Sequence, residues 1–438
     1  MTTDASALPV DQRAVDALAA SGLRYGLLDT SDRAAFEAWF AADARGFAES
    51  RISESVMASN VEHLAVNRTT GVWDDSIPNA EVPVATVNSW VTELTVPGPV
   101  VAPAWAVSSV TVAPTHRRRG VARAMMEAEL RVAHSAGVPM AILTASEATL
   151  YSRYGYAPAT SAASVEVDRR RVSWAAPAPS GRVHFVEAAD LLPDAIAISE
   201  RAVRRSPGEV ARWAGFFPRY LALNKPGSDV ARALRTVRYD DVDGVAQGWA
   251  AYHIDEKGPE ARILRVDVLE AATDDAVRGL WRFLLEHDFV TSIHADLRSI
   301  DEPLKWLVDD ARGVRWMHVS DHLWVRILDT AAALEARRYE TPGALELVVD
   351  DPLGFANGRF LLEVAAGGRA SVTALDDEYE STAPVLRLSV IDLGAIYLGG
   401  YRPSMLAAAG RIEADDAAIR LADRLFAAER TPHLSIWF

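Results

Sequence analysis

The 438-residue chain contains no cysteine, and this absence excludes several kinds of site. Without thiols, the protein has no disulfide, thiolate nucleophile, Fe–S cluster or zinc site built on cysteine. Basic residues are also outnumbered: 45 Lys and Arg against 60 Asp and Glu give a formal net charge of −15. Non-specific nucleic-acid binding needs a basic surface, so this composition disfavours a nucleic-acid partner and suits a cationic one.

The chain also lacks any run of 18 apolar residues, so we expect no transmembrane segment. Its most apolar stretch, residues 96–112, is interrupted by Pro, Gly, Ser and Thr. The N-terminus has no basic region followed by an apolar core, which is the pattern typical of signal peptides. We therefore expect a cytoplasmic protein, while export by a route without a signal peptide stays open.

Length allows two to four domains, and the pattern of elements and linkers predicts three. The first part of the chain shows strand–helix–strand–helix–strand order, typical of an α/β fold. Residues 174–181 are rich in Pro and small residues and form the best linker candidate, and a second α/β segment follows. After residue 329, predicted strands precede predicted helices, which is typical of an α+β domain. The expected boundaries are 1–178, 182–328 and 329–438.

Apolar spacing predicts individual elements within these domains. Helices are expected over 31–48, 120–137, 146–153, 195–205, 210–216, 274–287, 391–397, 404–409 and 415–426. Strands are expected over 82–96, 107–112, 139–144, 245–254, 261–269, 345–349, 358–364, 369–373 and 385–389, with another after Pro158. The last three residues, Ile436, Trp437 and Phe438, are large and apolar, so we expect the chain end to be docked.

The stretch 110–122 carries the strongest chemical signal, because a strand there runs into a Gly-opened helix. Gly120 allows a close backbone approach to a ligand, and the first amides of the helix have no intrahelical partner. Such a helix start attracts anions, and the three arginines at 117–119 add charged donors. The pattern predicts a diphosphate cradle, which differs from a P-loop because it has no Gly-Lys-Ser/Thr.

The pattern Arg117-x-x-Gly120-x-Ala122 after a Val-Thr-Val strand resembles the acetyl-CoA signature of GNAT N-acetyltransferases. A narrower resemblance spans nearly the whole chain and is to the Eis (enhanced intracellular survival) acetyltransferases. The segments that carry it are Leu94-Thr95-Val96-Pro97-Gly98, residues 113–120, Ala145-Ser146-Glu147 with Tyr151-x-Arg153-Tyr154-Gly155-Tyr156, Trp324-Val325-Arg326-Ile327, residues 332–337, and Tyr397-Leu398-Gly399-Gly400.

This resemblance implies an N-terminal GNAT domain, a degenerate GNAT-like domain and a C-terminal sterol-carrier-like domain. It also implies N-acetylation, with acetyl-CoA as the acetyl donor, of cationic multi-amine substrates such as aminoglycosides, and hence a link to antibiotic resistance. A homohexamer is implied as well, and no metal is needed.

The resemblance further assigns roles to residues. Tyr151 stands where the family has its general acid, and the family's base, the terminal carboxylate, belongs here to Phe438. Contacts to acetyl-CoA are implied for Val110, Val112, Arg117, Arg118, Gly120, Val121, Ala122 and Ser146. Trp437 stands where some members have an acid, and Asp43 and Glu49 are candidates to compensate for it.

Other interpretations stay open at this level. Tyr154 and Tyr156 are close enough to Tyr151 to be confused with it, and an apolar chain end also suits a core or oligomer contact. His318 and His322 have metal-ligand spacing only if helical, and the neighbouring residues suggest strand and turn. The competing functions are a lipid- or small-ligand-binding protein acting through its C-terminal domain, and a non-catalytic acetyl-CoA sensor.

Overall fold

The computed structural model describes residues 4–256, 262–376 and 378–438. Contacts divide the chain into two compact units. The first unit contains the residues up to 160, His322–Glu429 and Trp437–Phe438; the second contains Ser161–Asp321 and Arg430–Ile436. Each unit is built around its own mixed sheet, and the first holds an additional smaller sheet.

The helices and strands fall into three consecutive segments of the chain. Up to residue 160 they are α1 Gln12–Ala19, β1 Arg24–Leu27, α2 Arg33–Gly46, α3 Glu54–Leu64, β2 Arg68–Trp73, β3 Ala85–Val96, β4 Val100–Val112, α4 Val121–Ser135, β5 Met140–Thr144, α5 Ala148–Tyr151 and β6 Ala157–Pro158. In the middle segment they are β7 Ser161–Asp168, β8 Arg182–Phe185, α6 Ala188–Ala202, α7 Phe216–Tyr220, α8 Asp229–Ala233, β9 Arg235–Asp240, β10 Ala246–Glu256, β11 Arg262–Ala271, α9 Asp274–Leu285, β12 Ser292–Arg298, α10 Leu304–Leu307 and β13 Val314–Asp321. In the last segment they are β14 Leu323–Ile327, α11 Thr330–Ala336, β15 Gly343–Asp350, β16 Gly358–Val364, β17 Ala370–Leu375, β18 Val385–Ser389, α12 Val390–Tyr397, α13 Pro403–Ala408 and α14 Asp416–Leu425.

The large sheet of the first unit has the order β1-β2-β3-β4-β5-β14-β6. The apolar stretch at 96–112 is the turn and second arm of the β3–β4 hairpin, which pairs from Ala85↔Val112 to Val96↔Val100. Helix α4 buries Met125, Met126 and Leu130 in the core beside this sheet. Gly120 and Gly137 flank the helix with φ of +78° and +72°, a conformation that favours glycine, so both ends of α4 are fixed by sequence.

The sheet of the second unit has the order β13-β7-β12-β11-β10-β9-β8. Its helix α9 buries Leu280, Trp281 and Leu284, as the apolar spacing predicts. The smaller sheet of the first unit has the order β17-β16-β15-β18, with α11 to α14 following or preceding its strands in the chain. The expected combination of α/β and α+β architecture is confirmed.

Most predicted elements occur within a few residues of their expected bounds, although β4 begins at Val100 and α6 at Ala188, both earlier than predicted. Residues 210–216 do not form a helix: Gly208 has φ of +93°, and the side chain of Arg212 is drawn into buried ion pairs with Glu209 and Glu270. The helix predicted over 146–153 begins at Ala148 as α5, with Glu147 rather than Ser146 as its N-cap residue. Residue 261, where the sequence predicts the start of one strand, lies outside the described residues.

The expected domain boundaries stay a prediction, since the sheets do not follow the chain in three consecutive blocks. Strand β7 precedes the linker candidate, yet it pairs with β12 and β13 in the second sheet. Strand β14 follows the middle segment, yet it pairs with β5 and β6 in the first sheet. Each sheet is therefore completed by a strand from beyond its expected limit.

One buried ion pair ties together several parts of the first unit. Arg326 in β14 is fully buried and binds Asp351 through Nη2, at 2.8 and 2.9 Å from the two carboxylate oxygens. Its Nε donates to the carbonyl oxygen of Tyr154 at 2.7 Å. Asp351 also accepts from the backbone amides of Leu353 and Ala356, so both charges are satisfied inside the protein.

Replacing Asp351 with alanine should destabilise the first unit strongly, because it leaves the Arg326 guanidinium buried without its counter-charge. Breaking such a pair costs on the order of 3–5 kcal/mol, measured as a lowered urea midpoint. The control is Glu37→Gln, which removes the exposed Arg33–Glu37 pair and should change the midpoint little. Similar midpoints for the two variants would contradict this role of Asp351.

Candidate active site

The first sheet opens between β4 and β5. These parallel strands pair only at Trp105↔Ala141 and Ala106↔Ile142. Beyond these pairs, β4 continues to Val112 and β5 continues to Thr144 with no further pairing between them. A gap at the carboxyl ends of adjacent parallel strands is the usual place for a ligand in an α/β sheet.

Strand β4 carries a bulge beside this gap. The pairing with β3 shifts register between Thr86 and Asn88, and Ser109 has φ of +56°. A bulge leaves backbone groups outside the ladder and bends the strand. Val110 and Val112, which follow the bulge, are half-buried on the strand that borders the gap.

The predicted anion cradle is formed by residues 117–122. Arg118 and Gly120 have positive φ of 63° and 78°, so the backbone turns sharply before α4 begins at Val121. Consecutive amides in such turns and at helix starts make concave sites for anions. The side chain of Val121 packs in the core, so Val121 can contact an anion through its backbone amide alone. Ala122 lies in the first turn of α4, where backbone amides have no intrahelical partner.

The three arginines of the cradle differ in their surroundings. Arg119 donates to the carbonyl oxygen of Ser21 at 3.0 Å and lies 3.8 Å from Asp74. Arg117 and Arg118 are exposed, and within the described residues their side chains have no hydrogen bond or ion pair. Two guanidinium groups are thus available to a bound anion, while the third fixes the loop.

A buried pair of side chains, Asp74 and His116, fixes the segment just before the cradle. His116 Nε2 lies 2.9 Å from Asp74 Oδ2, and His116 Nδ1 lies 2.8 Å from Thr115 Oγ1. The hydrogen bond to His116 holds the pKa of Asp74 well below its usual range, with further help from Ser76. Asp74 therefore stays ionised and anchors the residue immediately before the arginines. No sequence pattern predicts this pair, since 42 positions separate the two residues.

Tyr151 is the last residue of α5, the short helix after β5. It is 9% exposed, and its ring meets that of Tyr156 edge-on at 6.2 Å. Burial, with further contributions from Tyr154 and Glu147, raises the pKa of Tyr151 to about 12. The phenol is consequently protonated throughout the neutral range and can act as a proton donor.

Phe438 lies at the carboxyl end of β5. Its carbonyl oxygen accepts a hydrogen bond from Thr144 Oγ1 at 3.0 Å, and its ring meets Trp90 of β3 edge-on at 5.7 Å. Trp437 contacts His322 edge-on at 4.5 Å, and Ile436 is 2% exposed. The expectation of a docked chain end is confirmed, although Trp437 itself is half exposed.

Of the two acids considered as candidates to compensate for Trp437, Asp43 is the better buried. It lies in α2, is 7% exposed, and its Oδ1 has no hydrogen-bond partner among the described residues. Burial and the nearby Glu49 together raise the pKa of Asp43 to about 7, against a hydrogen bond from Ser109 that lowers it. Asp43 therefore meets β4 at its bulge.

The predicted cradle and Ser146 follow the carboxyl ends of β4 and β5 in the chain, and Phe438 contacts the end of β5. Arg117, Arg118 and Gly120 lie before α4, and exposed Ser146 lies between β5 and α5. Thr144 and Trp90, which hold Phe438, were missed as site residues. The available signal was weak: Thr144 is the single polar residue of the strand Met140–Thr144, and Trp90 lies within the predicted strand 82–96, where aromatic residues are common.

The described residues offer neither a metal centre nor a membrane-spanning helix. Over 4–256, 262–376 and 378–438, no group of three or more His, Asp or Glu side chains is arranged to hold a metal ion. His318 lies in β13 and His322 just before β14, as strand and turn. In the same described ranges, no helix has both the length and the apolar character needed to cross a membrane.

Comparison with known families divides the chain as the resemblance implied. Residues 29–159 match an acetyltransferase (GNAT) domain, residues 208–327 match a second GNAT domain, and residues 330–435 match a sterol carrier protein domain. GNAT acetyltransferases use acetyl-CoA as the acetyl donor, and the first match contains the β4–β5 gap and the cradle.

Individual relatives agree. N-acetyltransferase Eis of Mycobacterium tuberculosis is 38% identical over 346 residues, covering 77% of this chain and 81% of that protein. An uncharacterized N-acetyltransferase of Streptomyces avermitilis is 33% identical over 408 residues, or 90% and 94% of the two chains. The crystal structure of Eis1 from Mycobacterium abscessus superposes with a TM-score of 0.80 and 30% identity, covering 95% of this chain and all of that one.

A GCN5-related N-acetyltransferase from Anabaena variabilis, 20% identical with a TM-score of 0.77, shares the fold over 95% of this chain and all of that one. The fold, the sequence identity to these relatives, and the open sheet with its cradle all indicate the same family. The chain is an N-acetyltransferase and belongs to the Eis family of GNAT proteins.

Proposed function

We propose that this protein acetylates amines of cationic multi-amine substrates, such as aminoglycosides, with Tyr151 as the general acid and the Phe438 carboxylate as the general base. The observation that carries the proposal is the meeting of Phe438 with the carboxyl end of β5, beside the gap that β4 leaves. The role given to Phe438 requires the polypeptide to end there, which the intact mass of the purified protein checks.

Acetyl-CoA would bind with its diphosphate on the cradle. Amides of Gly120, Val121 and Ala122 would donate to phosphate oxygens, and Arg117 and Arg118 would supply charged donors. The pantetheine arm would then follow the edge of β4 at Val110 and Val112, with Ser146 across the gap. Support comes from the unpaired strand edges, the exposed arginines and the positive φ at Gly120.

The reaction then needs two proton transfers. The amine nitrogen attacks the thioester carbonyl and forms the new N–C bond, and its proton passes to the carboxylate of Phe438, directly or through water. As the C–S bond breaks, the Tyr151 hydroxyl protonates the sulfur, so CoA leaves as a thiol. Burial keeps Tyr151 protonated before each turnover, which suits this assignment.

The site for the amine substrate favours a cationic molecule. The net charge of −15 attracts cationic substrates, and Asp43 places a buried carboxyl group next to the β4 bulge. Multi-amine substrates carry several ammonium groups, so one amine can react while another remains paired with an acid.

We extend the proposal to a role in antibiotic resistance and to a homohexamer. Light scattering coupled to size-exclusion chromatography tests the oligomeric state.

Substitution of Gly120 tests the cradle. Gly120→Ala should weaken CoA binding in calorimetric titration, because alanine at φ of +78° strains the turn that aims the amides. Gly137→Ala is the matched control: it has φ of +72° at the other end of α4, and neither site has an atom within 4 Å of an added Cβ. Both variants should lose about 1 kcal/mol of stability. Equal CoA affinity in the two would contradict the cradle.

Replacement of the Tyr151 hydroxyl tests the general acid. Tyr151→Phe should lower kcat by about 10²- to 10⁴-fold while leaving the KM for acetyl-CoA nearly unchanged. Because the pKa of Tyr151 is raised to about 12, its deprotonation should cause no loss of wild-type kcat below pH ~10. Tyr154→Phe, at a neighbouring buried tyrosine, is the control and should retain activity. Full activity in Tyr151→Phe would exclude the assignment.

A two-residue extension of the chain tests the terminal carboxylate. Extending the chain beyond Phe438 by Gly-Ser moves the carboxylate away from Thr144 and should abolish amine-dependent CoA release. The same two residues added before Met1 serve as the control and should have no effect. An active extended protein would refute the role of Phe438. Wild-type binding of acetyl-CoA without CoA release on any aminoglycoside or polyamine would instead favour a non-catalytic sensor.

A further inference from the structure

The segment before Phe438 is held by a buried polar cluster in the second unit, which we call the tail anchor and which is formed by Glu209, Arg212, Glu270, His433 and Ser435. Arg212 is at its centre, with its side chain 4% exposed. Its Nε donates to Glu270 at 2.6 Å, Nη1 donates to Glu209 at 2.9 Å, and Nη2 donates to Ser435 Oγ at 2.8 Å.

His433 makes the second set of bonds. Its Nε2–H donates to the carbonyl oxygen of Leu297 in β12 at 2.8 Å, and Nδ1 lies 3.3 Å from Glu209 Oε1. The His433 amide donates to the carbonyl oxygen of Pro207 at 2.8 Å. His433 is 7% exposed and the next residue, Leu434, is fully buried, so backbone, ring and apolar side chain are all engaged.

Arg212 and His433 both face the carboxylate of Glu209 within the anchor. Burial alone would disfavour an ionised Glu209, but Arg212 and His433 outweigh it and lower the pKa of Glu209 to about 2. Glu270 is held from the other side by Trp249 Nε1 at 3.0 Å and by Ser199 Oγ. Removing one buried, hydrogen-bonded member leaves the others without a partner, which makes the cluster sensitive to single substitutions.

The anchor lies where the second sheet opens. Strands β11 and β12 pair from Ile263↔Ser292 to Val266↔Ala295 and then separate. Ser435 lines the small cavity beyond this point together with Leu269, Glu270 and Arg298, and only about 20 Å³ remains there. This is room for about one water molecule, so the chain's own tail fills this position.

We propose that the tail anchor is a positioning device for Phe438, with His433, Ser435 and Arg212 as positioning residues; this rests on the proposed function of the terminal carboxylate. Phe438 follows Ser435 by three residues, and each extended residue spans at most ~3.6 Å. A fixed Ser435 therefore confines Phe438 to within about 11 Å of it. This tether limits the volume that the chain end can sample, which lowers the conformational-entropy cost of placing the carboxylate for reaction.

The test compares His433→Ala with His184→Ala in the full-length protein. His184 lies in β8, its side chain is 46% exposed, and it has no part in the anchor. We expect His433→Ala to lower kcat at least tenfold with an unchanged KM for acetyl-CoA, and His433→Gln, which keeps an N–H donor, to recover part of the loss. Ser435→Ala, which removes one bond from Arg212, should show a smaller loss of kcat.

A second readout does not depend on activity. Carboxypeptidase should release residues from the C-terminus of His433→Ala at least tenfold faster than from wild type or His184→Ala, followed by intact mass. Fast release with unchanged kcat would overturn the positioning role, and unchanged release would overturn the anchor. Equal losses in acetyl-CoA affinity and kcat would indicate general damage and also overturn it. A wild type that acetylates no amine would refute the proposed function, whereas the protease result would still decide whether the anchor exists.

Discussion

The buried ion pair of Arg326 with Asp351 is the interaction on which the first unit depends. The fully buried guanidinium of Arg326 binds Asp351 and also donates to the carbonyl oxygens of Tyr154 and Ile327. Gly155 must be glycine there, because its φ is +85° and an added Cβ would stand 2.5 Å from Arg326 Nε. The segment that carries Tyr151 is thus fixed by a strand that arrives more than 150 residues later in the chain.

This arrangement explains which parts of the fold were predictable. Helices α4 and α9 and strands β16 and β18 follow from local apolar spacing, and Gly120 and Gly137 mark the ends of α4, so the sequence predicted their bounds closely. The exchange of β7 and β14 between sheets was not predictable, because hydrogen bonding between distant strands leaves no local pattern. The failed helix at 210–216 has the same origin, since ion pairs with Glu209 and Glu270 determine its path.

The site was predictable in its chemistry more than in its assembly. A strand, a Gly-opened helix and arginines are contiguous in sequence, so the cradle could be derived from residues 110–122 alone. The approach of Phe438 to Thr144 joins positions 294 residues apart, and only the resemblance to a family suggested a role for the chain end. The Asp74–His116 support under the cradle had no sequence signal at all, because a lone Asp and a lone His are common surface residues.

Both GNAT domains contain a sheet that opens between two parallel strands, but the two openings have different surroundings. Each sheet contains a pair of parallel strands that separate after a short stretch of pairing, β4 from β5 and β11 from β12. In the first, the opening is bordered by a bulge, a Gly-opened helix and the exposed Arg117 and Arg118. In the second, a buried ionic cluster and the tail occupy it, and the 20 Å³ that remains is far below what a pantetheine arm needs. One opening therefore suits a cosubstrate, whereas the other is already filled by the polypeptide itself.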